Sequence, residues 1–476
     1  MLGLFGILNL GTRSLSAQRQ GVEVAGQNLA NVNNPAYARQ RVQLATSLTS
    51  IGESGPQGSG VDAIAIVHMR SAILDNQIQA EGSVRGSLES QQLALQYAQA
   101  GLGAQIDRLA SGAEGAAAAS GVGGGHSVGA GLSDLFAAFQ SLSSNPTSMA
   151  ERQTLLMKAS TLAGQFNQID QRLGNLRLSL NDSINADVGA VNGILSTIAE
   201  LNRNISEIEA MSAGQANDLR DARQQQIEML AKYVKVDVTN GANNMLNVSV
   251  DGTALVTDIN VTDTLEAYDA GAGQVLVRAV TGGNTLNVTG GSIHGTIEAR
   301  DVAVATLQSG VNDLASLLIT EVNAVHTAGF GLGGTTGENF FNGTTAADIA
   351  VNSTLLNDPS LLQAAGVTGA PGDNQVALAL AQLADKKHAS LNGQSFAQGY
   401  GQAVAGLGQA LSSVNTQLSD QQAVENMLLR QRDSLGGVSL DEEMADLTKF
   451  QKAFAASARL ITTVDEMLDT LVNMKR

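Results

Sequence analysis

Catalysis and metal binding need polar side chains that converge, and the histidines are the first place to look for them. His68, His126, His294, His326 and His388 are scattered along the chain, and no two stand at metal-ligand spacing. Each reads as a solvated or hydrogen-bonded single histidine. Gly329, Gly331 and Gly334 match G-x-G-x-x-G. They follow a helical stretch and no helix opens after them, so they do not make a dinucleotide cradle. There is no Gly-Lys pair for a P-loop and no HExxH. Asp441, Glu442 and Glu443 could be taken for an acid–base or metal cluster, but negative charge at a helix start complements the helix dipole. The sequence thus offers no catalytic, cofactor-binding or metal residue, and no cofactor is expected.

What stands out instead is apolar spacing. Leu440, Leu447, Phe454, Ile461 and Leu468 recur every seven residues. Phe450, Val464 and Leu471 form a second row, interrupted by Glu443 and Ser457. Two such rows make the a/d seam of a helix that buries one narrow stripe. Ser439 and Glu442 have capping-box spacing at its start. At the other end of the chain, Leu8, Leu15, Val22 and Leu29 repeat at the same interval. Leu4, Gly11, Gln18, Ala25 and Val32 form the companion row, and its small members Gly11 and Ala25 permit close approach. The spacing predicts that the two ends meet and that the rest of the chain is an insertion between them. The alternative is two separate amphipathic helices, each on a local core. These residues are the expected assembly seam. Burial of each Leu, Ile or Phe is worth ~1.5–3 kcal/mol. Isolated helices of this length are marginal, so residues 1 to 50 and 436 to 476 are expected to fray until they find a partner.

Composition bounds the rest. The chain has 476 residues, 52 Gly, five Pro, no Cys and no Trp. Disulfides and thiolate metal sites are excluded. A net charge of −17 would repel a phosphate backbone, so nucleic acid is not an expected partner. No apolar run reads as a membrane span. Residues 1 to 10 are apolar, but the first basic residue is Arg13, so the charged leader of a signal peptide is missing and none is expected to be cleaved.

Taken in order, the spacing predicts a first helix over 2–32, stopped near Pro35. A short strand at 61–67 and a helix over 71–109 follow, then a mobile Ala-, Gly- and Ser-rich connection over 110–131. A long helix begins near Ser148, whose seam runs from Leu162 to Ile208 with four-residue stutters. It would be roughly 90 Å long and implies a rod. Another helix covers 216–233. Alternating β-branched runs, with tight turns at Asn240-Gly241 and Asp251-Gly252, make 234–297 β-rich. Helices return at 296–325 and 396–435. The expected fold is mainly α with a small β insertion, terminal coiled-coil-like helices and nested order. Its domains are 1–60 with 436–476 for assembly, 61–233 with 298–435 as the helical rod, and 234–297 as the β insertion.

Four segments carry a family resemblance. Residues 26–42, with Ala30-Asn31 and Asn34-Pro35-Ala36-Tyr37, resemble the A-N-x-x-T-P-G-Y signature of bacterial flagellar rod, hook and hook-associated proteins. Asn34 replaces Thr and Ala36 replaces Gly. Residues 437–474 are similar to the hook-associated protein 1 family specifically, as are 217–223 and 290–301. The resemblance implies a structural part of the bacterial flagellum at the junction of hook and filament. It implies export through the flagellum's own type III channel without a cleaved signal, and an extracellular location. The implied partners are further copies of the chain, the hook protein, hook-associated protein 3 and a cytoplasmic export chaperone near the C-terminus.

Rival readings are another axial protein (hook, distal rod or hook-associated protein 3) and a secreted adhesin. Against the adhesin, residues 234–297 hold a single aromatic side chain of the Phe, Trp and Tyr class, Tyr268.

Overall fold

The computed structural model describes residues 3–47, 49–52, 55–102, 127–211, 214–271 and 273–474. The first helix, α1, spans Leu4–Ala30 and stops before the Asn34-Pro35 turn. A long β-hairpin follows. Strands β1 (Gln40–Thr46) and β4 (Val61–His68) pair antiparallel, and β2 (Thr49–Gly52) pairs with β3 (Gly55–Gly58) beyond them. Because β4 pairs with β1, residues 61–68 lie with the terminal helix rather than with the rod to which spacing assigned them.

The rod helices come next. Helix α2 covers Ala72–Gly101, and the expected extension to 109 and the connection over 110–126 lie outside the described residues. Residues 128–131, expected as connection, instead open a helix, α3 (Val128–Ser144). Ser127 caps it by accepting from the Ala130 N–H, and Val128, Leu132, Leu135, Phe139 and Leu142 form its buried stripe. Helix α4 runs unbroken over Met149–Met211, 63 residues or about 95 Å. Ser148 Oγ accepts from the Glu151 N–H at its start, as the spacing suggested.

Helix α5 (Asn217–Tyr233) leads into the β region. Strands β5 (Asp237–Asn240), β6 (Leu246–Val250), β7 (Thr253–Thr257) and β8 (Asn260–Val261) form an antiparallel meander. Strands β9 (Leu265–Asp269) and β10 (Val275–Ala279) form a separate hairpin. Asp251 and Gly252 take the left-handed conformation expected of that turn. The turn after β5 places its left-handed residues at Asn243 and Asn244, not at Asn240-Gly241.

Helix α6 (Gly291–Glu298) continues through a π segment, Ala299–Val304, into α7 (Ala305–His326). By length and composition this continuous helix could cross a membrane, a property the sequence reading did not assign to any run. Its apolar residues Leu307, Val311, Leu314, Leu318 and Val322 belong instead to the buried core. Short elements fill 341–382: β11 (Phe341–Asn342), β12 (Ala350–Val351), α8 (Ser353–Asn357) and α9 (Gln375–Gln382). Helix α10 (Phe396–Gly436) opens on a Ser395–Gln398 capping box, and α11 spans Leu440–Asn473.

Two cores are strung along α4. Its first half, from Leu155 to Leu180, packs with α2, α3, α7 and α10. Its second half, from Ile184 to Ala199, packs with α5 and the inner faces of β6, β7, β9 and β10. The β insertion therefore has no core of its own; the rod helix supplies one wall. The fold is mainly α, elongated and nested, with both ends of the chain brought to the same place.

Candidate functional site

Helices α1 and α11 lie antiparallel in a single register. Ser14 Oγ lies 2.9 Å from Ser457 Oγ. Asn28 Nδ2 donates to Glu443 Oε2 at 2.9 Å. A Cβ placed on Gly21 would stand 2.6 Å from the Phe450 ring, and one on Gly11 would stand 2.8 Å from Ile461 Cγ1. Ser14–Ser457, Gly21–Phe450 and Asn28–Glu443 follow one another at seven residues along both helices, and Gly11–Ile461 lies three and four residues beyond the first, which together make the a/d step of a packed seam.

This register fixes which residues face inward. On α11 both expected rows turn toward α1. Val464 is 3% exposed, Leu447, Phe450, Phe454, Ile461 and Leu468 are half-buried, and Leu440 and Leu471 at the helix ends are exposed. Glu443 and Ser457, read as interruptions, are seam members that hydrogen-bond across it. On α1 the contacting row is Ser14, Gly21 and Asn28, with Gly11 and Ala25 beside it. Leu8, Leu15, Val22 and Leu29 sit one residue on, about 100° round the helix, and are half-buried on its flank. Large aliphatic residues marked the flank; close antiparallel approach to Phe450 needs the small ones.

A polar joint anchors the pair. Arg39, just before β1, makes ion pairs with Glu442 and Glu443, both at 2.6 Å, and approaches Asp446 at 3.6 Å. Glu443 is buried, so its charge depends on that partner. The Ser439 side chain forms no cap hydrogen bond, and the Glu442 side chain is drawn to Arg39 rather than back to the helix start. Asn28 accepts from the Tyr37 hydroxyl at 2.8 Å and bonds both backbone groups of Gln40. Gln27 and Gln40 donate to Asp218 of α5, each at 2.7 Å. Asp221 of α5 accepts from the Ala38 N–H at 2.9 Å and from Arg70 at 2.7 Å. Burial pushes the Asp221 carboxyl up and the His68 imidazole down; His68 Nδ1 lies 3.1 Å from Asn217 Oδ1. The Arg39 N–H donates to the Gly436 carbonyl at 2.8 Å, tying in the end of α10.

Little of this joint was read as such from the sequence, which named its segments only as motifs. Yet three of them, 26–42, 217–223 and 437–474, meet here. The fourth, 290–301, holds α6 against α2, where a Cβ on Gly295 would meet the Ser87 carbonyl oxygen at 2.0 Å.

The residues first considered for chemistry lie apart. His294 Nδ1 contacts Ser87 Oγ at 3.1 Å, and His388 Nδ1 lies 3.4 Å from Glu321. His326 is fully buried, and His126 lies outside the described residues. Among the described residues no group of three His, Asp or Glu side chains could hold a metal ion. Gly331 packs against backbone carbonyls of residues 360 and 361 rather than opening a helix.

Residues 120–341 match the family described as flagellar hook-associated protein FlgK helical domain, and residues 436–474 match the flagellar basal body rod FlgEFG protein C-terminal family. The chain is 27% identical to flagellar hook-associated protein 1 of Bacillus subtilis, across 99% of each chain. It is 24% identical to flagellar hook-associated protein 1 of Escherichia coli, across 98% of this chain and 100% of that one. Over nearly its whole length the chain is similar to flagellar hook-associated protein 1 of both bacteria. A solved structure, the flagellar hook junction protein FlgK from Burkholderia pseudomallei, aligns with a TM-score of 0.63 at 14% identity. It covers 76% of this chain and 100% of that one, and shows the shared fold. The chain's role is accordingly structural, as a component of the flagellum.

Proposed function

We propose that this chain forms the junction zone between hook and filament, as a subunit without catalytic activity. The observation that carries this reading is the joint: the three segments that resemble the family meet around Arg39, Glu443 and Asp221. A seam of that kind gives each subunit a preformed terminal unit, so the termini enter the assembly already paired. Leu8, Leu15, Val22 and Leu29 on the α1 flank, with Leu440 and Leu471 on α11, remain available for neighbouring copies. We place residues 61–68 with the terminal unit, and keep the rod and β insertion as the outer parts of the subunit.

In this reading the chain leaves the cell through the flagellum's own export channel without a cleaved signal. An export chaperone would hold it near the C-terminus until then. Outside, it assembles with copies of itself on the hook protein and receives hook-associated protein 3.

Electron microscopy of cells with the gene deleted and then restored tests this. Finished hooks without filaments, and filament subunit in the medium, are the expected result of deletion. Missing hooks would move the chain down to the rod or hook. Normal filaments would remove it from the axis and leave the adhesin reading.

A further inference from the structure

The groove beside the terminal pair has a wall that invites a strand. Among the described residues strand β1 pairs with β4 on one edge only. On its other edge, both backbone groups of Gln40 are taken by the Asn28 side-chain amide, which stands in for a neighbouring strand. Antiparallel alternation turns the backbone groups of Val42 and Leu44 to that same edge. The bulge between Gln43 and Leu44 leaves this alternation intact, because the extra residue, Ile64, is on β4.

This edge runs along a cleft of about 430 Å³ floored by α1 and walled opposite by α11. Val42, Leu44 and Phe450 give it apolar surface, and Leu44 is exposed. Arg41 and Lys449 line it too. Among the described residues Arg41 enters no ion pair, and Lys449 has only the Phe450 ring, 5.9 Å away. Asp446, on the same wall, faces Arg39. Two unpaired cations at a free strand edge, in a chain of net charge −17, select an acidic occupant.

We propose that this groove docks an extended acidic segment of another polypeptide, added as a strand to β1 at Val42 and Leu44. Main-chain hydrogen bonds supply the pairing, alternate apolar side chains meet Phe450, and the intervening carboxylates meet Arg41 and Lys449. A free edge of this kind otherwise risks uncontrolled pairing, which Asn28 already prevents at Gln40.

The test uses the full chain and a fluorescein-labelled acetyl-Glu-Val-Glu-Val-Glu-Val amide, read by anisotropy and amide hydrogen exchange. Saturable binding with protection of residues 41–46 is expected. The double variant R41Q/K449Q alters two exposed side chains and should weaken binding about tenfold with its helix content unchanged. N-methylation of alternate peptide amides should abolish binding. No binding by the acidic peptide, equal binding by its Lys-Val counterpart, or indifference to N-methylation would each overturn the proposal.

Discussion

Gly21 of α1 and Phe450 of α11 fit only as they are: a single carbon on Gly21 would stand 2.6 Å from the aromatic ring. The ring edge and its attachment carbon are both within 2.7 Å, so rotation of a flexible tip cannot relieve the clash. Gly21→Leu should therefore open the terminal pair at a cost of about 1–3 kcal/mol. Hydrogen exchange in α11 reads this, and Phe450→Ala in the Gly21→Leu background should restore part of the protection. Unchanged exchange in Gly21→Leu would mean that the ring does not sit there.

The Arg39–Glu443 contact leads to a second expectation. Arg39→Ala leaves Glu443 buried without its cation, which typically costs ~3–5 kcal/mol. Amides of α1 and α11 should lose protection while those of α4 do not. Adding Glu443→Gln removes the stranded charge and should recover some of the loss. A loss under about 1 kcal/mol would show that the carboxylate finds water.

Assembly gives a third. Phe454→Asp and Ile461→Asp place a charge on the half-buried inner face of α11. Both should block filament formation in a complemented deletion strain while circular dichroism still reports the rod and β region. Wild-type filament numbers with either variant would exclude these residues from the seam.

A fourth concerns pH. His326 Nδ1 lies 2.7 Å from the Glu338 carbonyl, and Nε2 accepts from the Gln363 N–H at 3.1 Å. Burial holds its pKa at about 4, below the ordinary value of about 6.5. Between those values the unfolded chain takes up a proton that the folded chain refuses. The stabilisation is complete above about pH 6.5 and is lost as pH falls toward 4, by up to about 3 kcal/mol. Urea unfolding of the rod should thus weaken from pH 7.5 to 4.5 more steeply in the native chain than in His326→Gln. Parallel slopes would contradict the assignment.

How far could the sequence be read? The heptads of α11 were visible because its inward face is mostly aliphatic or aromatic, and Asn34-Pro35 marked the end of α1. The α1 face was displaced by one residue, since a search for large apolar side chains passes over Ser14, Gly21 and Asn28. Glu443 looked like a break in the pattern because its cation, Arg39, lies far away in sequence and only folding brings the two together. Helix α3 carried a clear stripe, Val128, Leu132, Leu135, Phe139 and Leu142, but the glycine-rich stretch before it masked its start. The sharing of α4 between two cores was not legible, because periodicity records a buried face and not what covers it.

A disulfide across the seam tests most directly whether the two ends pair within one chain. The chain has no cysteine, so S14C/S457C introduces only the pair of interest, at a site where the two hydroxyl oxygens are 2.9 Å apart. A quantitative intramolecular disulfide is expected on mild oxidation of the monomer, seen as faster migration on a non-reducing gel. Reduced chains, or dimers linked between copies, would contradict it.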